Sequence, residues 1–262
     1  MLKLSIITVT YNNEEGLMKT IHSVNDQSEK DFEYIIVDGG SSDNTEMLVK
    51  SHSDLVNVFI SEKDNGIYDA MNKGIVAAQG EYCLFLNAGD CFYDLNVIKK
   101  VIPHLENIDI AYGDSYKIKP HYRRKITYSD SLTLMTFYKV TPPIHHQATF
   151  IKRDLFEKYG FYNIELPIFA DWEFFYRVII LNHVSTLHLR FIVCSFDGTG
   201  VSNSISIENP KRKQINNLRY EILKSHIPDY ILKDYEYFDK IISKVGFFRK
   251  LKNKFSYFSI KK

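Results

Sequence analysis

Two aspartates each close an apolar run near the start of the chain. Asp38 ends the run from Phe32 to Val37, and Asp90 ends Glu81-Tyr-Cys-Leu-Phe-Leu-Asn-Ala-Gly-Asp90. A carboxylate at the carboxyl end of a buried strand lies where open α/β sheets take their ligands. It is also a hard oxygen ligand, suited to Mg²⁺ or Mn²⁺ beside a phosphate. The pair predicts a nucleotide-type ligand with a divalent metal. Thr10, Tyr11 and Asn12 end the first apolar run, where polar groups can reach a ligand laid over the sheet edge or serve as an ordinary turn and cap. Gly39 follows Asp38, and glycine lets backbone amides approach a ligand closely. Asp64, Asn65 and Gly66 precede a helical pattern. Asp64 or Asn65 is expected to cap that helix, whose amino end would favour an anion. Asn72 and Lys73 fall on a different side of it from Ile67, Met71 and Ile75.

The elements that must position these residues alternate. Strands are predicted over Leu2–Val9, Phe32–Val37, Val56–Ser61 and Glu81–Leu86. Helices are predicted over Glu14–Val24, from Asp43-Asn44-Thr45 to Lys50, and from Ile67 to Ala78. Strand–helix alternation with short connections implies a mainly parallel α/β sheet covered on both faces. After residue 115 the pattern changes. Residues 116–145 read as basic, aromatic and irregular, with Pro120, Pro142 and Pro143. A short strand (Ala148–Lys152), a helix starting at Asp154, an aromatic helix around Asp171–Arg177 and a strand near Leu187–Ser195 follow. From Pro210 the chain reads as helical.

Composition narrows the function classes. The chain has 262 residues, 45% hydrophobic and 25% charged, as expected of an ordinary globular protein. A net charge of +1 gives no electrostatic footprint for nucleic acid. Three cysteines without paired spacing argue against a disulfide framework and structural zinc. No leader can be separated from the first strand and no spanning apolar run occurs, so the cytoplasm is the expected location. Residues 240–262 hold eight Lys/Arg and no acid, with Phe247, Phe248, Leu251, Phe255 and Phe258 at helical spacing. That segment is expected to make peripheral contact with the cytoplasmic face of an inner membrane.

Taken together, Ile6-Ile-Thr-Val-Thr-Tyr-Asn12, Ile36-Val-Asp38-Gly-Gly-Ser-Ser-Asp-Asn-Thr45, Asp64-Asn-Gly-Ile-Tyr-Asp-Ala-Met-Asn-Lys-Gly74 and Leu86-Asn-Ala-Gly-Asp90 resemble the family-two inverting glycosyltransferases of the GT-A fold. The likeness is closest to bacterial members that build capsule, exopolysaccharide or lipopolysaccharide O-antigen. It is strong over residues 1–115 and looser over 145–200, through His146-Gln147, Tyr159-Gly-Phe-Tyr162 and Ala170-Asp171-Trp-Glu173. The resemblance implies a nucleotide-sugar half (1–115), an acceptor-binding and catalytic half (116–205) and a helical basic extension (206–262).

The same resemblance implies roles. Thr10, Tyr11, Asn12, Asp38 and Gly39 would hold the nucleoside, Asp38 reading the base. Asp64, Gly66, Asn72 and Lys73 would line the nucleotide and diphosphate pocket, and His146 would contact the diphosphate or the metal. Asp90 would bind Mn²⁺ or Mg²⁺; Asn87 stands where the family's metal motif has its first Asp, leaving one charge fewer. Asp171 would be the catalytic base, with Glu173 as the fallback. The acceptor would be a saccharide or a polyprenyl-diphosphate-linked sugar. Two other readings are a non-catalytic sugar-nucleotide-binding scaffold of a polysaccharide assembly complex, and a nucleotidyltransferase. The latter is disfavoured because Thr10–Glu15 is not a Gly- and Lys/Arg-rich phosphate loop.

Overall fold

A computed structural model describes residues 2–138, 142–166, 168–199 and 210–237. The basic aromatic segment 240–262 lies outside the described residues. The chain divides into two compact units, Met1–Ser206 and Ile207–Lys262.

The first unit opens as the alternation predicts. Strands β1 (Leu4–Thr10), β2 (Phe32–Asp38), β3 (Val58–Ser61) and β4 (Tyr82–Phe85) are mutually parallel, in the order β3-β2-β1-β4. Every residue of β1 is buried, as expected for a central strand covered on both faces. Helices α1 (Glu14–Asn25), α2 (Thr45–Lys50) and α3 (Ile67–Ala77) connect them. Asn13 caps α1, its side-chain oxygen accepting from the Gly16 amide. The cap of α3 is Gly66, not Asp64 or Asn65. Asp64 instead accepts from the Gly66 amide, and Asp69 from the Asn65 amide. The register sets Thr10 beside Asp38, so the polar ends of β1 and β2 share one edge.

The second half departs from expectation. Residues 116–126 and 134–138 are not irregular, in contrast to the expectation for the whole stretch 116–145. They hold the end of a long strand β6 (Ile110–Lys119), a hairpin partner β7 (Tyr122–Ile126) and a short helix α5 (Leu134–Tyr138). A two-residue strand β5 (Cys91–Phe92) and a helix α4 (Val97–Val101) intervene after Asp90. Strand β8 (Thr149–Lys152) lies antiparallel between β4 and β6, and β9 (Thr186–Asp197) runs parallel to β6 and antiparallel to β5. Gly113 and Asp114 disguise β6 in the sequence. Pairing on both edges overrides their poor strand propensity, with the register shifting around Asp114.

Between α3 and β4 the chain turns sharply at Gln79-Gly80. Glu33, buried on β2, accepts there from the Gln79 amide (2.5 Å), the Gly80 amide (2.9 Å) and the Ser5 hydroxyl (2.5 Å). This carboxylate fixes where β4 begins and so where its carboxyl end emerges. Helices α6 (Asp154–Tyr159) and α7 (Ala170–Phe175) cover the second half, α7 continuing as a π-helical stretch Tyr176–Leu181. Their packing is aromatic: Phe156 stacks on Phe174 at 4.5 Å, and Tyr162 meets Phe85, Phe156 and Phe174 edge-on.

The second unit contains α8 (Pro210–His226) and a further helical stretch over 229–237. Tyr220 donates to Glu236 across them at 3.0 Å. No helix among the described residues is long and apolar enough to cross a membrane.

Removing the Glu33 carboxylate would leave the Gln79 amide without its acceptor and the Gly80 amide with the Ser5 hydroxyl alone. Glu33→Ala should cost about 2 kcal/mol, within the roughly 1–3 kcal/mol of one unsatisfied donor. Equilibrium urea unfolding measures this, and a loss below about 1 kcal/mol would mean that Glu33 does not hold the turn.

Candidate active site

At the β1 and β2 ends the backbone folds back on itself. Asn12 has a positive φ of 47°, a conformation asparagine tolerates better than most residues. Its amide donates to Ser41 Oγ (2.7 Å), and its side-chain oxygen accepts from the Ser42 amide (2.8 Å), tying the two loops together. Asp38 is buried, accepting from Ser41 through both amide and hydroxyl and from the Ser61 hydroxyl at 2.7 Å. It therefore shapes the floor of the site from below. Thr10 is buried beside it, its hydroxyl oxygen without a hydrogen-bond partner. Above the floor, a Cβ on Gly39 would fall 2.4 Å from Asp64 Oδ2 and 3.4 Å from the Tyr11 ring. Only glycine lets the Asp64 carboxylate sit that close to the backbone. Tyr11 stands 64% exposed, so one flat ring and one carboxylate border a slot whose floor is backbone. A slot of this kind can stack a planar base.

Asp90 sits where β4 runs out. Its amide donates to the Asn87 carbonyl at 2.8 Å, closing a tight turn in which Gly89 takes φ 102°, a conformation glycine adopts without strain. Thr20 on α1 pins the turn: its hydroxyl donates to the Asp90 carbonyl (2.8 Å) and lies 2.9 Å from the donating Gly89 amide. Asp90 is 5% exposed, and its carboxylate accepts from the Asp197 amide at 3.0 Å. Burial pushes its pKa up to about 7, against the pull of the Asp197 amide, the His146 charge and the Gln147 side chain.

Between these lies a continuous hydrogen-bonded chain. The Asn87 amide donates to His146 Nε2 (3.2 Å), and His146 Nδ1 bonds Asp171 Oδ2 (2.9 Å). Tyr68 donates its hydroxyl to Asp171 Oδ1 at 2.9 Å, as does the Trp172 amide. The Asn87 NH₂ can only donate, so Nε2 must accept and the ring proton must sit on Nδ1, facing the carboxylate. Burial pushes the Asp171 carboxyl upward, but the bonds from His146, Tyr68 and Trp172 together hold it below the ordinary aspartate value. It is thus an anion at neutral pH, with three of its roughly four lone-pair sites in use.

The remaining candidates lie elsewhere. Glu173 is held by Arg177 in a two-pronged ion pair, 2.9 Å at Oε1 and 3.0 Å at Oε2, and takes no part in the Asp171 chain. Asn72 spends its amide on the backbone of Tyr162, donating to the carbonyl and accepting from the N–H. Lys73 points at Glu62 (2.8 Å) and the Lys63 carbonyl, with Asp69 at 3.8 Å, beside a cavity of about 540 Å³ that Ile60, Val76 and Phe161 also line. An added Cβ at Gly66, φ 111°, would meet open space. His145 lies half-buried and edge-on to Tyr128 and Phe196, and desolvation lowers its pKa to about 4.

Three contributors escaped the sequence reading. Tyr68 and Gln147 sat inside motifs that were recognised, but nothing marked their partners. Asp197 ends strand β9, so the same rule that selected Asp38 and Asp90 applies to it; its strand was expected to stop short, near Ser195. Among the described residues no three His, Cys, Asp or Glu side chains gather as a metal cage. The protein offers instead one buried carboxylate, Asp90, and the Asn87 Oδ1 atom, which is buried without a partner. That sparse oxygen set fits Mg²⁺ or Mn²⁺ held jointly with substrate phosphates, the usual mode for these ions.

Residues 5–183 match the model for glycosyl transferase family 2. A PGL/p-HBAD biosynthesis glycosyltransferase of Mycobacterium bovis is 32% identical over 215 residues, covering 77% of this chain and 79% of the relative. Among solved structures, TarS of S. aureus is similar with a TM-score of 0.65 at 20% identity, over 87% of this chain and 41% of TarS; the chain spans less than half of that protein. The TarS 1-349 fragment in complex with UDP gives a TM-score of 0.63 at 17% identity, over 87% of this chain and 68% of the fragment. The mannosyltransferase PcManGT of Pyrobaculum calidifontis, in complex with GDP-Man and Mn²⁺, gives 0.56 at 16% identity, over 82% of this chain and 60% of that one. The structural likenesses establish the GT-A architecture. With the family model spanning most of the chain, and catalytic-type groups gathered at the carboxyl ends of its strands, this protein belongs to glycosyl transferase family 2.

Proposed function

We propose that the chain transfers a sugar, with inversion, from a nucleotide-sugar donor to a hydroxyl of a saccharide or lipid-linked acceptor, in polysaccharide or glycolipid synthesis at the cell surface. The observation that carries this reading is the Asn87–His146–Asp171–Tyr68 chain. It keeps one carboxylate ionised, oriented and one lone pair short of saturation at the edge of the nucleotide site. A direct displacement needs such a base: the acceptor O–H proton passes to Asp171 as the acceptor oxygen bonds the anomeric carbon and the bond to the diphosphate breaks. Tyr11, Gly39 and Asp64 would receive the nucleoside. UDP in TarS and GDP-Man in PcManGT support a nucleotide-sugar donor, without deciding the base here. Asp90 and Asn87 Oδ1 would hold a divalent ion. Bound there, that ion would neutralise charge on the departing diphosphate.

Asp171→Asn should keep donor binding and lose transfer by about 10²-fold or more, the scale of a lost general base. Glu173→Gln should lower thermal stability while turnover stays within severalfold, because it breaks only the Arg177 fork. Product formation and melting temperature of both variants decide between the two carboxylates; the opposite pattern would make Glu173 the base.

Metal binding should depend on pH. A carboxyl whose pKa is raised to about 7 holds its proton below neutrality, and a metal must displace that proton. Mn²⁺-dependent affinity for UDP or GDP should therefore rise from pH 6 to 8 and level off above. Asp90→Asn should bind weakly and show no such slope. Calorimetric titration across that range reads both, and a flat wild-type profile would remove Asp90 from the metal site.

A further inference from the structure

The β6–β7 hairpin is uniformly basic. Residues 115–126 contain Lys117, Lys119, Arg123, Arg124 and Lys125 and no acid, in a chain whose net charge is only +1. The strand register sorts these cations onto two faces, since directly opposed residues of an antiparallel pair point the same way. Lys117 opposes Arg124 and Lys119 opposes Tyr122, while Ile118 opposes Arg123 and Tyr116 opposes Lys125. On the second face the charges are engaged: Lys125 pairs with buried Asp114 at 3.1 Å, and Arg123 lies 4.1 Å over the Tyr116 ring. On the first face, Lys119 and Arg124 are exposed and form no ion pair among the described residues.

That face borders the transfer centre. The Gly198 amide donates to the Ile118 carbonyl at 2.6 Å, and a Cβ on Gly198 would lie 2.8 Å from both Lys117 Cε and Lys119 Cγ. One residue earlier, the Asp197 amide holds Asp90. The Lys117 charge also reaches His145, the neighbour of His146. Asp197 itself turns its Oδ1 to Thr199, not to the lysines. In the sheet, β6 stands three strands from β1, roughly 14 Å at about 4.8 Å per step. The basic face and the Tyr11–Asp64 slot thus flank the β4 end from opposite sides. Charges on an edge strand commonly guard against aggregation. Such protection needs no single sign, yet every charge in residues 115–126 is positive.

We propose that Lys119 and Arg124, with Lys117 at the inner edge, form an anion subsite that grips a phosphate group of the acceptor beside the transfer centre. The proposal rests on the transferase reading above and names its acceptor class: a phosphate-bearing molecule, such as a lipid-linked phosphate or diphosphate. Arg124 supplies a planar fork for two phosphate oxygens, and the lysines supply point charges.

Arg124 and Arg123 are adjacent, equally charged and on opposite faces, which makes them a matched pair for a test. Binding of geranyl monophosphate, with geraniol as the uncharged control, is measured by titration on the full chain, alongside UDP, GDP and dTDP binding with Mn²⁺. Wild-type protein should bind geranyl phosphate in a salt-sensitive manner and ignore geraniol. Arg124→Glu should weaken phosphate binding about tenfold or more, the scale of a lost charge-assisted hydrogen bond, while Arg123→Glu changes it less than about twofold. Nucleotide affinity should survive in both variants, which also certifies their folding. Weakened nucleotide binding in Arg124→Glu would assign the face to the donor and overturn the proposal. Phosphatidylglycerol vesicles that bind through Arg124 while geranyl phosphate is ignored would make it a membrane face, and overturn it equally. Wild-type protein that binds no nucleotide defeats the transferase reading and the subsite with it. If nucleotide binds but the two variants bind geranyl phosphate alike, the subsite alone is lost.

Discussion

The Asp171 carboxylate is largely withdrawn from water, with 16% of its side chain exposed, and an ionised carboxylate in such a place is tolerable only when its lone pairs are satisfied. That requirement draws together segments far apart in the chain. Tyr68 comes from the first turn of α3, Asn87 from the turn after β4, His146 from the short helix before β8, and Asp171 from the start of α7. Each of these elements must be in place before the carboxylate is stable as an anion. The aromatic packing behind α7 is then the scaffold of a charge, with Phe156, Phe174 and Tyr162 holding the helix against the sheet.

The same chain gives a physical role to the departure at position 87. An amide there donates to His146 Nε2, which places the ring proton on Nδ1, facing Asp171. A carboxylate in its place would call for a proton on Nε2 as well, adding a charge to the ring. Asn87 thus fixes the histidine tautomer. Asp90 is the opposite case. It is buried with few donors, so its carboxyl stays protonated to higher pH until something positive arrives.

Two halves of one sheet divide the work. The parallel half ends in glycine-floored loops that suit a flat ligand and its phosphates. The other half brings Asp171, the histidine and the basic hairpin to the same edge, through β8, an antiparallel strand inserted between β4 and β6. That insertion lets distant chain segments meet Asp90 without lengthening any loop of the parallel half.

The parallel half was legible from residues alone, because buried parallel strands read as continuous apolar runs and their helices carry regular periodicity. Asp38 and Asp90 could be picked out for the same reason, since each closes an apolar run, whereas His146 and Asp171 were marked only by the family resemblance. The hairpin of β6 and β7 was not legible, since Gly113, Asp114 and a run of cations contradict strand propensity, and only pairing with β8 and β9 overrides it. Nor could the roles of Asn72, Lys73 and Glu173 be separated from those of Asp171 and His146, because a motif names residues without saying which way they face. Glu173 lies two positions from Asp171 yet is committed to Arg177, one helical turn on. The sequence by itself determined the strands of the parallel half and the carboxylates that close two apolar runs there, Asp38 and Asp90. Which of the chain's carboxylates is buried, bonded and free to take a proton was decided only by tertiary structure, because hydrogen-bond partners and desolvation come from segments that the linear order keeps apart.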